Sequence, residues 1–285
     1  MPFSHTGYAK WVIVLLSALL IASPATPDLH LVSKSARAIV SPKVGRLIYF
    51  GPLNGPNLLW LDRSAPDGPW RNWGGDKLWT APQSDWNWPP VLQHDGLPHH
   101  ASLNDNTIHL LSDPDARGVR FVREFCLNGR ELTIVNRMEN FGHDPVRAAI
   151  WQITQIPGPS EIRFAYEPSA LFPAGWEAYP WTTQGATRIY RDANEIAISP
   201  NFATAQKYGM ATKAGYLRAK IGDFWLRLTH PYRPQATYAD NGKAQQVFLS
   251  NSPRYAELEV TAPLATIPSR GHQAMTTTLS FERAR

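Results

Sequence analysis

The sequence predicts an all-β fold, a sandwich or barrel of short antiparallel strands, and three observations carry the prediction. First, 25 prolines and 19 glycines in 285 residues leave little room for helix interiors, because proline removes a backbone donor and glycine costs the most entropy to order. Second, apolar residues between these breaks recur at every second position, the period of side chains that alternate across a sheet. Third, Asn128-Gly129 separates two long alternating runs and suits a two-residue hairpin turn, whose central positions need positive φ.

In chain order, residues 45–50 (Gly-Arg-Leu-Ile-Tyr-Phe) and 57–61 (Asn-Leu-Leu-Trp-Leu) read as strands rich in β-branched, aromatic and leucine side chains. Residues 118–127 and 130–140 flank the hairpin turn. Residues 146–156, 215–220, 224–229, 245–249, 255–261 and 273–281 follow in the same alternating style, each bounded by turn residues. There is no internal repeat. Residues 62–104 form the one long stretch without strand character, far beyond the length of an ordinary connection, and its tryptophans argue for an ordered loop. One β domain over residues 29–285 is expected, with that loop laid across it.

The first 25 residues read as an export signal. Lys10 precedes an apolar run of twelve residues, 11–22, too short for an ordinary span of about 20. Small residues around Ser23-Pro24-Ala25 favour cleavage after Ala25. A periplasmic or secreted product follows, with no stable membrane span after cleavage; uncleaved, the run would serve as an N-terminal membrane anchor. The single cysteine, Cys126, rules out an intrachain disulfide and reads as a small buried hydrophobe. The formal charge of +5 is scattered rather than gathered in a basic stripe, so a nucleic-acid partner is not expected. Phosphate-binding loop, dinucleotide and serine-hydrolase signatures are absent from the sequence, and no cofactor is expected. His94-Asp95 and His99-His100 have metal-ligand chemistry but no regular element to aim them, and read as a solvated loop rather than a metal site.

The richest segment is residues 72–83, Asn-Trp-Gly-Gly-Asp-Lys-Leu-Trp-Thr-Ala-Pro-Gln, with Trp70, Trp86 and Trp88 close by. Indole faces lie well against the C–H face of a sugar ring while amides and charges bond its hydroxyls. The same residues would also serve to bury a loop against a sandwich. Asn72, Trp73, Asp76, Lys77 and Trp79 are therefore candidate ligand contacts. Gln152 and Gln155 are further candidates, although three residues apart on a strand they point to opposite faces.

Several segments together resemble the galactose-mutarotase-like superfamily. These are Gly45-Arg46-Leu47-Ile48 with Asn57-Leu58-Leu59-Trp60, then Arg123-Glu124-Phe125 followed by residues 140–145 (Asn-Phe-Gly-His-Asp-Pro), and finally residues 257–264 (Glu-Leu-Glu-Val-Thr-Ala-Pro-Leu) before Thr276-Thr277-Thr278-Leu279-Ser280-Phe281. The Asn-Trp-Gly-Gly-Asp-Lys segment with Trp151-Gln152-Ile153-Thr154-Gln155 looks most like the bacterial DUF4380 group. The resemblance implies a supersandwich of two large antiparallel sheets with carbohydrate held in a concave sheet face. It also implies a glutamate base on the strand that carries Glu259, with Glu257 on the same face. Where a mutarotase carries His-Gly-Gly this chain has Trp73-Gly74-Gly75, and its His-Pro-Tyr-Phe motif is replaced by residues 151–155. Both imidazoles are exchanged for groups that do not titrate near neutrality, so sugar binding without mutarotation is the expectation. The alternatives are a carbohydrate-active enzyme (aldose epimerase, glycoside hydrolase or lyase) using Glu259 as acid/base, and a structural protein of the envelope. N-terminal sequencing of protein recovered from the envelope or medium should begin at Thr26; an intact Met1 would contradict cleavage.

Overall fold

The computed structural model describes residues 27–62, 64, 68–183 and 187–284; residues 1–25, where an export signal is expected, lie outside them. Twenty strands run through the described residues: β1 (Leu29–Val32), β2 (Ala36–Ser41), β3 (Arg46–Pro52), β4 (Asp76–Ala81), β5 (His100–Asn104), β6 (Thr107–Leu111), β7 (Val119–Asn128), β8 (Glu131–Asn140), β9 (Val146–Pro157), β10 (Glu161–Ala165), β11 (Glu177–Ala178), β12 (Arg188–Asp192), β13 (Glu195–Ser199), β14 (Gln206–Met210), β15 (Tyr216–Ile221), β16 (Phe224–Thr229), β17 (Gln245–Asn251), β18 (Arg254–Thr261), β19 (Ala265–Ile267) and β20 (His272–Arg283). They form two ten-stranded sheets. The first runs β1-β2-β3-β4-β9-β18-β17-β14-β11 with β19 also paired to β9, and the second runs β12-β13-β10-β15-β16-β20-β8-β7-β6-β5. This is the two-sheet antiparallel sandwich that the sequence predicts. Among the described residues no helix is long and apolar enough to cross a membrane.

The sheets face each other across one apolar core. Phe50, Leu78, Ile150, Leu258 and Val260 come from the first sheet, and Phe121, Phe125, Ile134, Leu226 and Leu279 from the second. Hydrophobic burial of this extent dominates the stability of a sandwich. Within the core lies a polar layer. Asp76 of β4 forms an ion pair with Arg123 of β7, and its carboxylate accepts from Gln152 Nε2 at 2.8 Å and Thr154 Oγ1 at 2.5 Å. Gln152 Oε1 in turn accepts from Asn136 Nδ2 at 2.8 Å and Thr277 Oγ1 at 2.7 Å. Arg123 Nε donates to Asn136 Oδ1 at 2.9 Å. The layer thus joins two strands of one sheet to three of the other.

The structure departs from the sequence reading at several places. Residues 62–104 are not one irregular loop, because β4 inserts into the first sheet between β3 and β9. The alternation of β4 is hidden because both of its faces are buried and each carries a charge. Gly74 and Gly75 lead into it with φ of 83° and 78°; a Cβ on them would collide with the carbonyl oxygens of Trp60 and Leu47, so glycine is required for backbone packing here. Residues 57–61 are not a strand. They bury Leu58 and Leu59 and reach the sheet through Trp60 N–H, which donates to Gln155 O at 2.9 Å. Cys126 is exposed rather than buried, since alternation along β7 turns Phe125 and Leu127 inward. His94 and His99 are buried, not solvated, and each ring lies against a backbone carbonyl, of Val119 at 2.9 Å and Leu97 at 3.0 Å respectively.

Removing one partner of a buried, hydrogen-bonded ion pair typically costs about 3–5 kcal/mol. Asp76→Ala should lower stability by that amount in denaturant unfolding, far more than Asp113→Ala at an exposed position.

Candidate functional site

Side chains that β4, β9, β18, β17 and β14 turn away from the core meet on the outer face of the first sheet. The registers place them in rows. One row runs Lys77, Ile153, Glu259, Gln246, Gly209, and the next runs Gln155, Glu257, Phe248, Lys207, with Trp79 opposite Trp151 on the other side of the first row. Four strand gaps separate β4 from β14, about 19 Å at the usual ~4.8 Å spacing. A cavity of about 270 Å³ opens here, lined on its floor and walls by Trp70, Lys77, Trp79, Trp151, Lys207 and Glu257, with Tyr179, Asp240, Phe248 and Tyr255. Trp88 and Trp181 stand at its mouth, 59% and 52% exposed.

The aromatic walls are held by their own polar atoms. Trp79 Nε1 donates to Asp95 Oδ2 at 2.7 Å and Trp70 Nε1 to the same oxygen at 3.0 Å. Asp95 is neutralised by Arg46, whose Nη2 lies 2.5 Å from Oδ1. Trp151 Nε1 donates to Glu259 Oε2 at 2.9 Å. With these N–H groups used beneath the surface, the indoles offer the cavity apolar surface. Trp79 packs edge-on against Trp151 at 5.4 Å and against Trp70 at 6.3 Å, the arrangement that the ring quadrupoles favour.

The charged floor is unevenly satisfied. Glu257 Oε1 accepts from Gln155 Nε2 at 2.8 Å and lies 3.8 Å from Lys77 Nζ. Lys207 Nζ donates to Glu259 Oε2 at 2.9 Å. Lys77 Nζ, Glu259 Oε1, Gln155 Oε1 and Gln246 Nε2 are buried without a hydrogen-bond partner in the protein. Such atoms are uncommon in folded proteins; Lys77 lines the cavity, and the other three belong to residues of the same sheet face that lie outside its lining. Burial, then Arg46, lowers the Lys77 ammonium to about 8, while Glu257 and Asp95 pull it back. Burial raises the Glu259 carboxyl to about 7 against the pull of Lys207. Burial, which alone would raise the Asp95 carboxyl, is outweighed by Arg46 first and then by Lys77, and it stays below its ordinary value. Asp240 enters the rim from a single turn, Ala239–Gly242, in which it and Asn241 are left-handed with φ of 52° and 58°, a conformation that sites often hold.

Of the residues singled out in the sequence, Lys77, Trp79 and Glu257 line the cavity together. Glu259 lies on the same strand face but is fully buried beneath Trp151 and Lys207, and does not reach the lining. Gln155 supports Glu257 from the side, and Asn72 supports Tyr255, donating to its hydroxyl at 3.2 Å. Asp76 and Gln152 are not in the site: period two turns them between the sheets, into the polar layer. Trp73 is also elsewhere, under Arg71 at 4.1 Å and beside Val44 and Ile48 in a separate depression. Lys207, Tyr179, Asp240 and Trp181 are cavity residues that the sequence did not point to. They sit in segments with weak alternation, and only the strand order brings them opposite β4.

No protein-family model matches the chain, and no curated protein matches it by sequence. Solved structures do resemble it. A Synechocystis protein superposes with a TM-score of 0.62 at 13% identity, covering 90% of this chain and 96% of its own. A candidate aldose 1-epimerase from Escherichia coli K12 gives 0.61 at 15% identity, over 90% and 99%. A galactose mutarotase related enzyme from Lactobacillus acidophilus gives 0.58 at 8% identity, over 90% and 97%. The fold is galactose-mutarotase-like. Among the described residues no histidine lines the cavity, and no group of three potential metal ligands converges.

Lys77 has a depressed value, about 8 against 10.5. The stability tied to it is therefore present above about 10.5 and lost as pH falls through about 8, so at pH 7 the fold bears the full cost of the buried ammonium. Lys77→Met should be more stable than the parent at pH 7, by on the order of 1 kcal/mol or more, and the gap should close between pH 8 and 10.5. Thermal melts across that range measure it; a variant that is less stable at pH 7 would refute the assignment.

Proposed function

We propose that the protein is an exported carbohydrate-binding protein of the mutarotase-like superfamily, and that the cavity on the first sheet holds one neutral sugar ring. The observation that carries this reading is the cavity itself, where indole and phenol surfaces converge with Lys77, Lys207, Glu257 and Asp240. Pyranose rings present an apolar C–H face and a rim of hydroxyls, and this combination answers both. The opposing charges of the two lysines and two carboxylates favour an uncharged ligand, since either sign of ligand meets a like charge. A volume of about 270 Å³ lies just below the usual range for ligand pockets, about 300–1,000 Å³, and suits a single ring. The structural neighbours described as an aldose 1-epimerase and a mutarotase-related enzyme support a carbohydrate ligand. The finer placement in the DUF4380 group rests on Asn72-Trp73-Gly74-Gly75-Asp76-Lys77 and residues 151–155. Export to the periplasm or medium rests on the N-terminal run alone.

The exposed indoles at the mouth speak against a purely structural role. Trp79 and Trp151 do help form a second small apolar cluster with Ala81, Ala149, Ile153 and Ala239, but Trp88 and Trp181 are not consumed by packing. An epimerase reading is favoured by one observation: Glu257 and Lys77 face the same cavity as a potential base and acid, with Lys77 lowered toward neutrality. Glu259, the base that the family resemblance implies, is screened from the cavity.

Titration calorimetry against glucose, galactose, mannose and xylose should find at least one ligand, and Glu257→Gln should weaken it by about 1.5–3 kcal/mol, the worth of hydrogen bonds to a charged group. Failure of every neutral monosaccharide and oligosaccharide to bind would remove the reading. Polarimetry on freshly dissolved glucose and galactose should show the uncatalysed rate of anomer exchange. Acceleration abolished by Glu257→Gln or Glu259→Gln would establish the enzyme instead.

A further inference from the structure

The cavity lining has a buried part and a solvent-exposed part, and the two differ in chemistry. Lys77, Glu257 and Trp151 belong to the buried part, each at most 7% exposed, beside the fully buried Asp95 and Glu259. Trp88 and Trp181 belong to the exposed part, each packed on a different set of lining aromatics. Trp88 packs edge-on against Trp70 at 4.8 Å and Trp79 at 6.1 Å. Trp181 packs against Tyr179 at 6.2 Å and Phe248 at 6.3 Å. Each indole is thus braced by a cavity-wall aromatic while more than half of its surface faces solvent.

Their segments are fixed to the sheet. Tyr179 N–H and Thr182 Oγ1 both donate to Lys207 O, at 2.9 Å each, and Lys207 N–H donates back to Thr182 Oγ1 at 3.0 Å. On the other side Trp86 Nε1 donates to Thr80 O at 2.9 Å. Exposing a large aromatic to water is unfavourable, and a pair braced by aromatics along one cavity is the pattern of a contact surface rather than of scattered surface residues.

We infer that the ligand is the terminal residue of a neutral oligosaccharide, with its first ring in the cavity and its next rings on Trp88 and Trp181. This rests on the carbohydrate reading of the same cavity. A space for a single ring with a charged, buried floor admits a chain end and excludes the middle of a chain, which would have to leave in two directions. The glycosidic bond therefore points to the mouth, and the following ring meets exposed indole faces on its way out.

Calorimetry should compare mono-, di-, tri- and tetrasaccharides of the glucose, galactose, mannose and xylose series, together with the corresponding polymers, on the wild type, Trp181→Ala and Trp88→Ala. In the series that binds, affinity should rise about tenfold from one to three units, as expected for added aromatic stacking, and then level off. That gain should fall below about threefold in Trp181→Ala, with a smaller loss in Trp88→Ala; a circular dichroism spectrum equal to the parent's shows that the variants fold. For the polymer, sites filled should count chain ends rather than sugar units. A monosaccharide that binds as tightly as its trisaccharide, a gain that both variants retain, or a polymer bound along its length would each overturn the inference while leaving the carbohydrate reading intact. Absence of binding by every saccharide would remove both.

Discussion

The buried carboxylate of Asp76 is the constraint on which the rest of the molecule depends. It sits between the sheets with Arg123, Gln152 and Thr154 as partners, and an ionised group there has no alternative to that environment. Satisfying it fixes β4 in the sheet and fixes its register. Side chains on a strand alternate with period two, so once Asp76 points inward, Lys77 and Trp79 must point outward. A slip of one residue would turn Lys77 into the core and the aspartate to the outer face. The polar layer is thus the device that delivers the cavity's ammonium and its central indole to the right face.

A second buried carboxylate organises the same region from the outer side. Asp95 gathers Arg46, Trp70 and Trp79, which ties the segment after β4 to β3 and orients two cavity walls at once. Together with Lys77 and Glu257 it produces alternating charge, Arg46, Asp95, Lys77, Glu257, running from the interior to the cavity floor. The pair nearer the cavity is the less completely satisfied. Arg46 and Asp95 are paired at hydrogen-bond distance, Lys77 and Glu257 only at 3.8 Å. Preorganised but incompletely paired groups are what a polar ligand needs, and they carry a standing cost to the unliganded fold.

Much of the architecture was legible in the sequence. Long strands with one apolar and one polar face, such as residues 119–128 and 131–140 around Asn128-Gly129, announce themselves through alternation and turn chemistry, and the order of such segments pointed to a mutarotase-like supersandwich. The segments that escaped are those where alternation is uninformative. In β4 both faces are buried and both carry charge, so Asp76-Lys77-Leu78-Trp79-Thr80-Ala81 looks like a polar, aromatic loop. Short strands such as β11 and β14 show too few residues for any period to emerge. Residues 57–61 erred the other way: their leucines are buried, but beneath an irregular segment rather than in a ladder.

For the site, the sequence by itself determined the chemical inventory: tryptophans beside a lysine, and acidic residues two apart near the C-terminus. Tertiary structure decided which of these meet. It sent Asp76, Gln152 and Trp73 away from the cavity, sank Glu259 beneath its floor, kept Glu257 in the lining, and brought Lys207, Asp240 and Trp181 across from segments distant in the chain. The reason is that face and register are settled by pairing with neighbouring strands. Whether a side chain points to the core or to the cavity depends on partners some 50 to 180 residues away, as with Asp76 and Arg123 or Asn72 and Tyr255, and no local pattern records them.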